Sequence, residues 1–197
     1  MERRTALKRT ALLAGASTLG PSLLSLLQSC QPASRLDWTP EFLSLEQADF
    51  FAAFVDTILP KTETPGALDV KVDLFMDLVF ARLYNAAGQE QLLADIKAFD
   101  ERCTDQFGQT FANLDGGQRT EFLQAEETTN AKYAPQVWGT AVGEQEPIGF
   151  YRSMKSLVIW GYFSSQEIGQ NVLNYDPVPG DYRGCVPLAE IGRSWSL

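Results

Sequence analysis

The chain has 197 residues, of which 45% are hydrophobic, and its 25 acidic against 16 basic residues give a formal charge of −9. This length can bury one substantial core, whereas the acidic surface makes nucleic acid an unsuitable partner. No histidine is present and only three cysteines are, which excludes Ser-His-Asp and Cys-His catalysis and the usual haem, zinc and iron–sulfur sites. Because no nucleotide-binding glycine motif occurs either, we expect no metal, no cofactor and no independent catalysis from this chain.

The N-terminus has a basic segment of nine residues that is followed by an apolar run from Ala11 to Leu27, interrupted by a Gly-Pro pair. This pattern is typical of an export signal rather than of a stable membrane-spanning helix. The adjacent Arg3 and Arg4 resemble a twin-arginine signal, which exports folded proteins, and an ordinary Sec signal is the alternative. We therefore predict that residues 1–29 are an export signal and that the mature chain is periplasmic.

A lipobox-like sequence, Leu-Leu-Gln-Ser before Cys30, ends this leader. It predicts that Cys30 is lipidated and that the protein is a membrane-anchored lipoprotein. The alternative is signal cleavage that leaves a free thiol on Cys30, which would be a liability in an oxidising compartment. Residues 30–42 are predicted to be a tether, and residues 43–197 a single helical domain.

The first two helices of this domain are predicted from capping and hydrophobic periodicity. Ser44 and Gln47 form a capping box ahead of an apolar stripe at helical spacing, which stops at Pro60. The second helix, 72–84, is apolar on nearly all sides, so we expect it at the centre of the core.

Three more helices are predicted at 89–107, 114–129 and 148–163. In the first of these, Phe99 and Cys103 lie one turn apart and are expected to face inward. Three carboxylates lie close together on the helix at 114–129, and we predict a solvated face rather than a cation site because no oxygen-ligand loop surrounds them. These carboxylates are Glu121, Glu126 and Glu127. Since no convincing alternating strand pattern occurs, the predicted fold is an all-α bundle of five to six helices.

The stretch 160–187 is the most distinctive part of the sequence. It ends a helix, makes a short helix, and then becomes a coil in which prolines fix φ and glycines permit turns. Its aromatic residues indicate that the coil lies against a surface, either the domain's own helices or a partner protein. The residues that we assign to a candidate partner interface are Tyr162, Tyr175, Pro177, Gly180 and Tyr182.

Three segments, 58–67 (ILPKTETPGA), 161–169 (GYFSSQEIG) and 175–185 (YDPVPGDYRGC), together resemble the gluconate 2-dehydrogenase subunit 3 family. The resemblance extends over about residues 43–188. It implies an accessory subunit that accompanies a large FAD-dependent sugar or polyol dehydrogenase, often with a cytochrome c subunit. FAD would then belong to the partner subunit and not to this chain.

Two functions follow from these observations. The first is a non-catalytic small subunit that assists the export, stability and membrane anchoring of a flavoprotein. The second is a stand-alone lipoprotein binding module in which the aromatic C-terminal stretch forms a ligand groove. A flavoprotein encoded by a neighbouring gene would favour the first.

Cys103 and Cys185 are the two cysteines that remain if Cys30 is lipidated. In an oxidising compartment they could form a disulfide that fastens the C-terminal coil to the third helix. The alternative is that Cys103 is a buried helix residue and Cys185 a free thiol.

Overall fold

The computed structural model of the chain describes residues 38–129, 136–137, 140–141, 148–178, 180 and 184–196. All of these lie in one compact unit, Leu36–Leu197. The α-helices are α1 (Leu45–Ile58), α2 (Val72–Leu83), α3 (Ala86–Phe107), α4 (Gly116–Thr129), α5 (Phe150–Phe163) and the short α6 (Leu188–Ile191). A 3-10 turn at Phe111–Asn113 precedes α4, and a π-helix at Ile168–Val172 follows α5.

The predicted all-α class is confirmed. Within the described ranges, the structure also contains one element that was not predicted, a pair of two-residue antiparallel strands, β1 (Gln136–Val137) and β2 (Thr140–Ala141). In the part of the chain that the structure describes, no helix has the length and hydrophobicity to cross a bilayer.

The capping box at the start of α1 is present as predicted. The Gln47 backbone N–H donates to Ser44 Oγ at 3.2 Å, and the Ser44 N–H donates to Gln47 Oε1 at 2.9 Å. These two bonds satisfy donors that the first turn of a helix leaves without partners, so α1 begins at a defined residue.

The helix at the centre of the bundle is α1, not α2 as predicted. It packs against α2, α4, α5 and the 3-10 turn, and its residues 50–55 are all buried. On α2, by contrast, Phe75 and Leu78 are only half-buried and Leu83 is exposed. The apolar residues on nearly all sides of α2 therefore predicted its central position incorrectly, because one side of α2 lies at the surface of the domain.

A cluster of aromatic rings fills the centre of the bundle. Phe50 on α1 lies within 5.1–6.4 Å, centroid to centroid, of five other phenylalanine rings, and Phe99 on α3 lies 5.0 Å from Phe122 on α4. Most of these pairs are edge-to-face or tilted, which are the favoured geometries for aromatic contacts. Phe99 and Cys103 both face inward, as the helical spacing predicted.

Ion pairs join the outer helices to this core. The Arg102 guanidinium on α3 donates to both carboxylate oxygens of Glu126 at 3.0 Å. Glu127 accepts from Lys155 Nζ at 2.8 Å and forms an ion pair with Arg152 at 2.9 Å, which joins α4 to α5. The predicted solvated acidic face is thus correct for Glu121, which is exposed, and wrong for Glu126, which is buried.

Candidate partner interface

An exposed apolar surface, which we call the α5 face, lies on the outer side of α5 and the adjoining side of α2. Trp160 is 56% and Phe163 is 50% exposed, and Ile159 is also exposed beside them. The Phe75 ring of α2 packs edge-on against Trp160 at 5.2 Å between centroids. The α5 face comprises Phe75, Ile159, Trp160 and Phe163.

Gly161 sets the distance between the two helices that form this face. A Cβ on Gly161 would lie 2.7 Å from Phe75 Cδ1 and 3.3 Å from Val72 Cγ1, both on α2. Because only a residue without a side chain permits this approach, α5 packs closely on α2 at this point. Phe75 is thereby held beside Trp160, so the aromatic pair has a defined position at the surface.

Tyr162, which we assigned to the partner interface, is instead part of the domain's interior. It is only 7% exposed, and its hydroxyl donates to the Pro65 carbonyl at 2.7 Å. One face of α5 turns inward at this residue while its neighbours Trp160 and Phe163 turn outward. The alternative role considered for the aromatic residues, packing within the chain, therefore applies to Tyr162.

The loop that receives the Tyr162 bond is rigidly built. The Gly66 N–H donates to Asp69 at 2.9 Å, and the Ala67 N–H donates to the Leu59 carbonyl at 2.9 Å. A Cβ on Gly66 would lie 2.6 Å from the Lys61 backbone nitrogen, so glycine is required there. The Gly66 hydrogen bond, aided by Lys61, holds the pKa of the Asp69 carboxyl below its usual value.

The C-terminal stretch is tied to itself by hydrogen bonds rather than leaving the domain as an open tail, and we call its described residues 175–178, 180 and 184–190 the closed loop. Its two ends meet at Asn174, whose side-chain amide donates to the carbonyls of Ile191 and Arg193 at 2.8 Å each. The Asn174 backbone exchanges hydrogen bonds of 2.9 Å with Ser194 and Ser196. The amide and backbone groups of a single residue thus fix both ends of the loop.

This closed loop presents apolar side chains to solvent. Val178 and Leu188 are each 82% exposed, and Tyr175 is exposed as well. Pro177 and Gly180 are also exposed, so the structure places these assigned interface residues at the surface. A sequence alone could not show that the ends are joined, because the bonds depend on carbonyls about twenty residues from Asn174.

The two thiols of the domain are not joined. Cys103 is buried in α3 and Cys185 is exposed on the closed loop, and both are free. Burial, together with the nearby Asp100 carboxylate, raises the pKa of Cys103 to about 11. The predicted bridge is therefore absent from this structure, which has the arrangement that we gave as its alternative.

Residues 38–42, placed within the tether on sequence grounds, are bound to the domain. The backbone N–H groups of residues 41, 42 and 43 donate to the Asp77 carboxylate at 2.6, 3.1 and 2.9 Å. The Trp38 indole N–H donates to Asp73 at 3.1 Å. Sequence reasoning missed Asp73 and Asp77, although two carboxylates one turn apart on an apolar helix were a signal that buried donors face them.

A polar groove lies between the 62–66 loop and the π-helix. It has a volume of about 680 Å³, and its walls include Glu63, Glu167, Asn171 and Arg193. None of the described residues that line it is aromatic. The aromatic ligand groove expected for a stand-alone binding module is therefore not formed at this place.

Several predicted residues lie outside the described residues, namely Arg3, Arg4, Cys30 and Tyr182. Within the described ranges, no group of three or more acidic or cysteine side chains could hold a metal ion.

A family model described as gluconate 2-dehydrogenase subunit 3 matches residues 45–180, which is more than half of the chain. This range includes α1 to α5, the π-helix and the first part of the closed loop. Searches of curated proteins and of solved structures each found no match.

Proposed function

This chain belongs to the gluconate 2-dehydrogenase subunit 3 family, and we propose that it is the non-catalytic small subunit of a periplasmic FAD-dependent sugar or sugar-acid dehydrogenase. In this proposal it assists the export, stability and membrane anchoring of the large flavoprotein subunit. FAD and the oxidation of the substrate hydroxyl belong to that large subunit. A cytochrome c subunit can complete the complex as the acceptor of its electrons.

The observation that carries the proposal is the α5 face. Trp160 and Phe163 are each at least half exposed although the domain has a full aromatic core of its own. Contiguous exposed aromatic surface is typical of protein interaction sites, and tryptophan is among the residues that contribute most to binding energy. Because Gly161 and Phe75 fix Trp160, little conformational entropy is lost when a partner covers it.

The closed loop supplies a second surface for the same partner. Its ends are fixed at Asn174, while Tyr175, Val178 and Leu188 remain exposed. A loop whose ends are fixed loses less conformational entropy on binding than a free tail would, which favours recognition. We propose that the loop and the α5 face both contact the flavoprotein.

Export and anchoring rest on the leader. The twin-arginine-like pair, Arg3 and Arg4, suits export of a folded complex in which this chain provides the signal for a flavoprotein that has bound FAD. Lipidation of Cys30 would then hold the complex at the membrane. In both steps, export and anchoring, this chain acts on the location of the flavoprotein and not on its reaction.

Gene deletion tests the proposal. Without this chain, active flavoprotein should be lost from the periplasm, and substitution of Arg3 and Arg4 by Lys should block its export. Normal export of active flavoprotein after deletion would overturn the proposed function. Normal export after the Lys substitutions alone would overturn only the twin-arginine step.

Co-purification tests the surface. The double variant Trp160→Ser/Phe163→Ser should lose most of its bound flavoprotein, whereas Leu83→Ser, which changes an exposed leucine at the end of α2, should retain it. Thermal unfolding of each isolated chain controls for stability. Undiminished co-purification of the double variant would show that the partner binds elsewhere.

The second candidate function is a stand-alone binding module. The polar groove between the 62–66 loop and the π-helix is the observation that favours it, since Glu167, Asn171 and Arg193 could hydrogen-bond a polar ligand. Purification from the native source separates the two functions. A chain that purifies without any flavoprotein supports this second candidate.

A further inference from the structure

The segment 38–43 lies along α2 from its first turn to its last. Trp38 binds Asp73 in the first turn, the backbone of residues 41–43 binds Asp77, and the Arg82 guanidinium in the last turn donates to Glu41 at 2.8 Å. We call this three-point attachment the clip. The chain thus enters the domain beside the N-terminal end of α2.

Asp77 is the central contact of the clip. Its side chain is 0% exposed, and its carboxylate accepts three backbone N–H groups. A buried carboxylate is stable only with such partners, and the three donors in turn lose their bonds if it is removed. The clip is therefore part of the folded domain and not a loosely placed end of the tether.

The distance from Cys30 to the clip is short. Eight Cα-to-Cα steps separate Cys30 from Trp38, so the connecting chain reaches at most about 29 Å at about 3.6 Å per residue. A domain of about 160 residues has a radius of gyration of about 15 Å and hence a diameter of about 40 Å. The connection is shorter than the domain that it holds.

From these lengths we propose that the clip turns the end of the domain where α2 begins toward the membrane. The inference rests on the lipid anchor at Cys30 in the proposed function. The lipid bilayer surface is the partner of this end, which includes the 62–71 loop. The opposite end of α2, at Leu83, faces away from the bilayer.

Energy transfer on vesicles tests this orientation. The lipidated full chain would carry Cys185→Ser together with either Leu68→Cys, just before α2, or Leu83→Cys, at its end; Cys103 is buried and stays unlabelled. The two labelled sites are separated by about 18 Å or more, the length of the twelve-residue α2 at about 1.5 Å per residue. In phosphatidylcholine vesicles with rhodamine-labelled headgroups, transfer should be higher from position 68 than from position 83.

Release of the clip should remove that difference. The triple variant Trp38→Phe/Asp77→Ala/Arg82→Gln removes all three contacts and extends the free connection from Trp38 to Ser44, six more residues, so both labelled positions should give similar transfer. Because the triple variant could fail to fold, the milder double variant Trp38→Phe/Arg82→Gln removes the two outer contacts, keeps Asp77 and should reduce the difference in transfer. Glu90→Ala, an exposed acidic residue on α3, is the matched control and should keep the difference.

Each outcome decides a separate point. Equal transfer from the two positions in the unaltered clip, with vesicle binding retained, would overturn the orientation and leave the proposed function intact. Retention of the full difference in the double variant and in a folded triple variant would overturn the role of the clip. Absence of vesicle binding by the full chain would overturn the lipid anchor, and the orientation with it.

Discussion

The Tyr162 hydroxyl donates a hydrogen bond of 2.7 Å to the Pro65 carbonyl, 97 residues earlier in the chain. This bond joins the C-terminal turn of α5 to the rigid loop that leads into α2. Both segments were singled out in the sequence as separate motifs, and the structure shows that they form one contact. Their shared role is to hold the end of the domain together beside the α5 face.

Tyr162→Phe should destabilise the isolated chain by about 1 kcal/mol, since it removes one net hydrogen bond and leaves a partly buried carbonyl without that donor. Urea unfolding measures the change. Tyr175→Phe, on the exposed closed loop, is the control and should have no effect on stability. A Tyr162→Phe chain that is as stable as the wild type but binds its partner more weakly would show that Tyr162 contributes to the partner interface after all.

Gly161→Ala should destabilise the chain by about 1–3 kcal/mol because the added methyl group collides with Phe75 and separates α5 from α2. Gly116→Ala is the matched control, since a Cβ there meets no atom within 4 Å. Thermal unfolding compares the two. Equal stability would mean that Phe75 moves aside freely, and the position of Trp160 would then not be fixed by this contact.

The ion pairs of Glu127 should make the folded chain less stable at acid pH. Its hydrogen bond from Lys155, with further help from Arg152, lowers the pKa of Glu127 below the usual glutamate value. A carboxyl with a lowered folded pKa contributes fully above its unfolded pKa of about 4.3, and the contribution disappears as the pH falls through the folded pKa. The α4–α5 contact should therefore weaken below about pH 4.3.

Glu127→Gln should cost about 1 kcal/mol at pH 6, where the carboxylate is charged, and less at pH 3. Urea unfolding across this range measures the difference between the two chains. Glu121→Gln, exposed on the same helix, should show little change at either pH. A cost that is the same at both pH values would mean that Glu127 contributes through packing and not through charge.

Thiol labelling should distinguish Cys103 from Cys185. A maleimide should react rapidly with Cys185, which is exposed, and with Cys103 only after denaturation, because burial protects that thiol and raises its pKa to about 11. Mass spectrometry of the mature chain locates the label. If neither residue reacts under denaturing, non-reducing conditions, the two cysteines are bridged in the exported protein.

The helices could be predicted because their signals are local. The Ser44 capping box and the inward direction of Phe99 follow from spacings of three and four residues, and both are confirmed. Asn85 is the N-cap of α3, and its side chain accepts from the Gly88 N–H at 2.8 Å. Recognising this cap in the sequence would have placed the start of α3 correctly at Ala86. The prediction placed that start three residues later, at 89.

Local sequence patterns did not predict the features around the candidate interface. The π-helix requires an i to i+5 hydrogen bond, from Leu173 N–H to the Ile168 carbonyl, which no local pattern specifies. The sequence showed that Tyr162 and Trp160 are aromatic but not which of them faces inward. That choice depends on where α2 and the 62–66 loop lie against α5.

The fixing of both loop ends by Asn174 affects how any mutational map of this surface should be interpreted. Asn174→Ala would remove the two side-chain bonds to Ile191 and Arg193 and keep the backbone bonds with Ser194 and Ser196, so the closed loop would be held less firmly. A partner would then have to order more of the loop on binding, at a cost of roughly 1 kcal/mol or more for each backbone unit that it fixes. In an alanine scan Asn174 would therefore score as a contact residue without touching the partner, and rescue by a rigid covalent closure of the loop would distinguish it from a true contact.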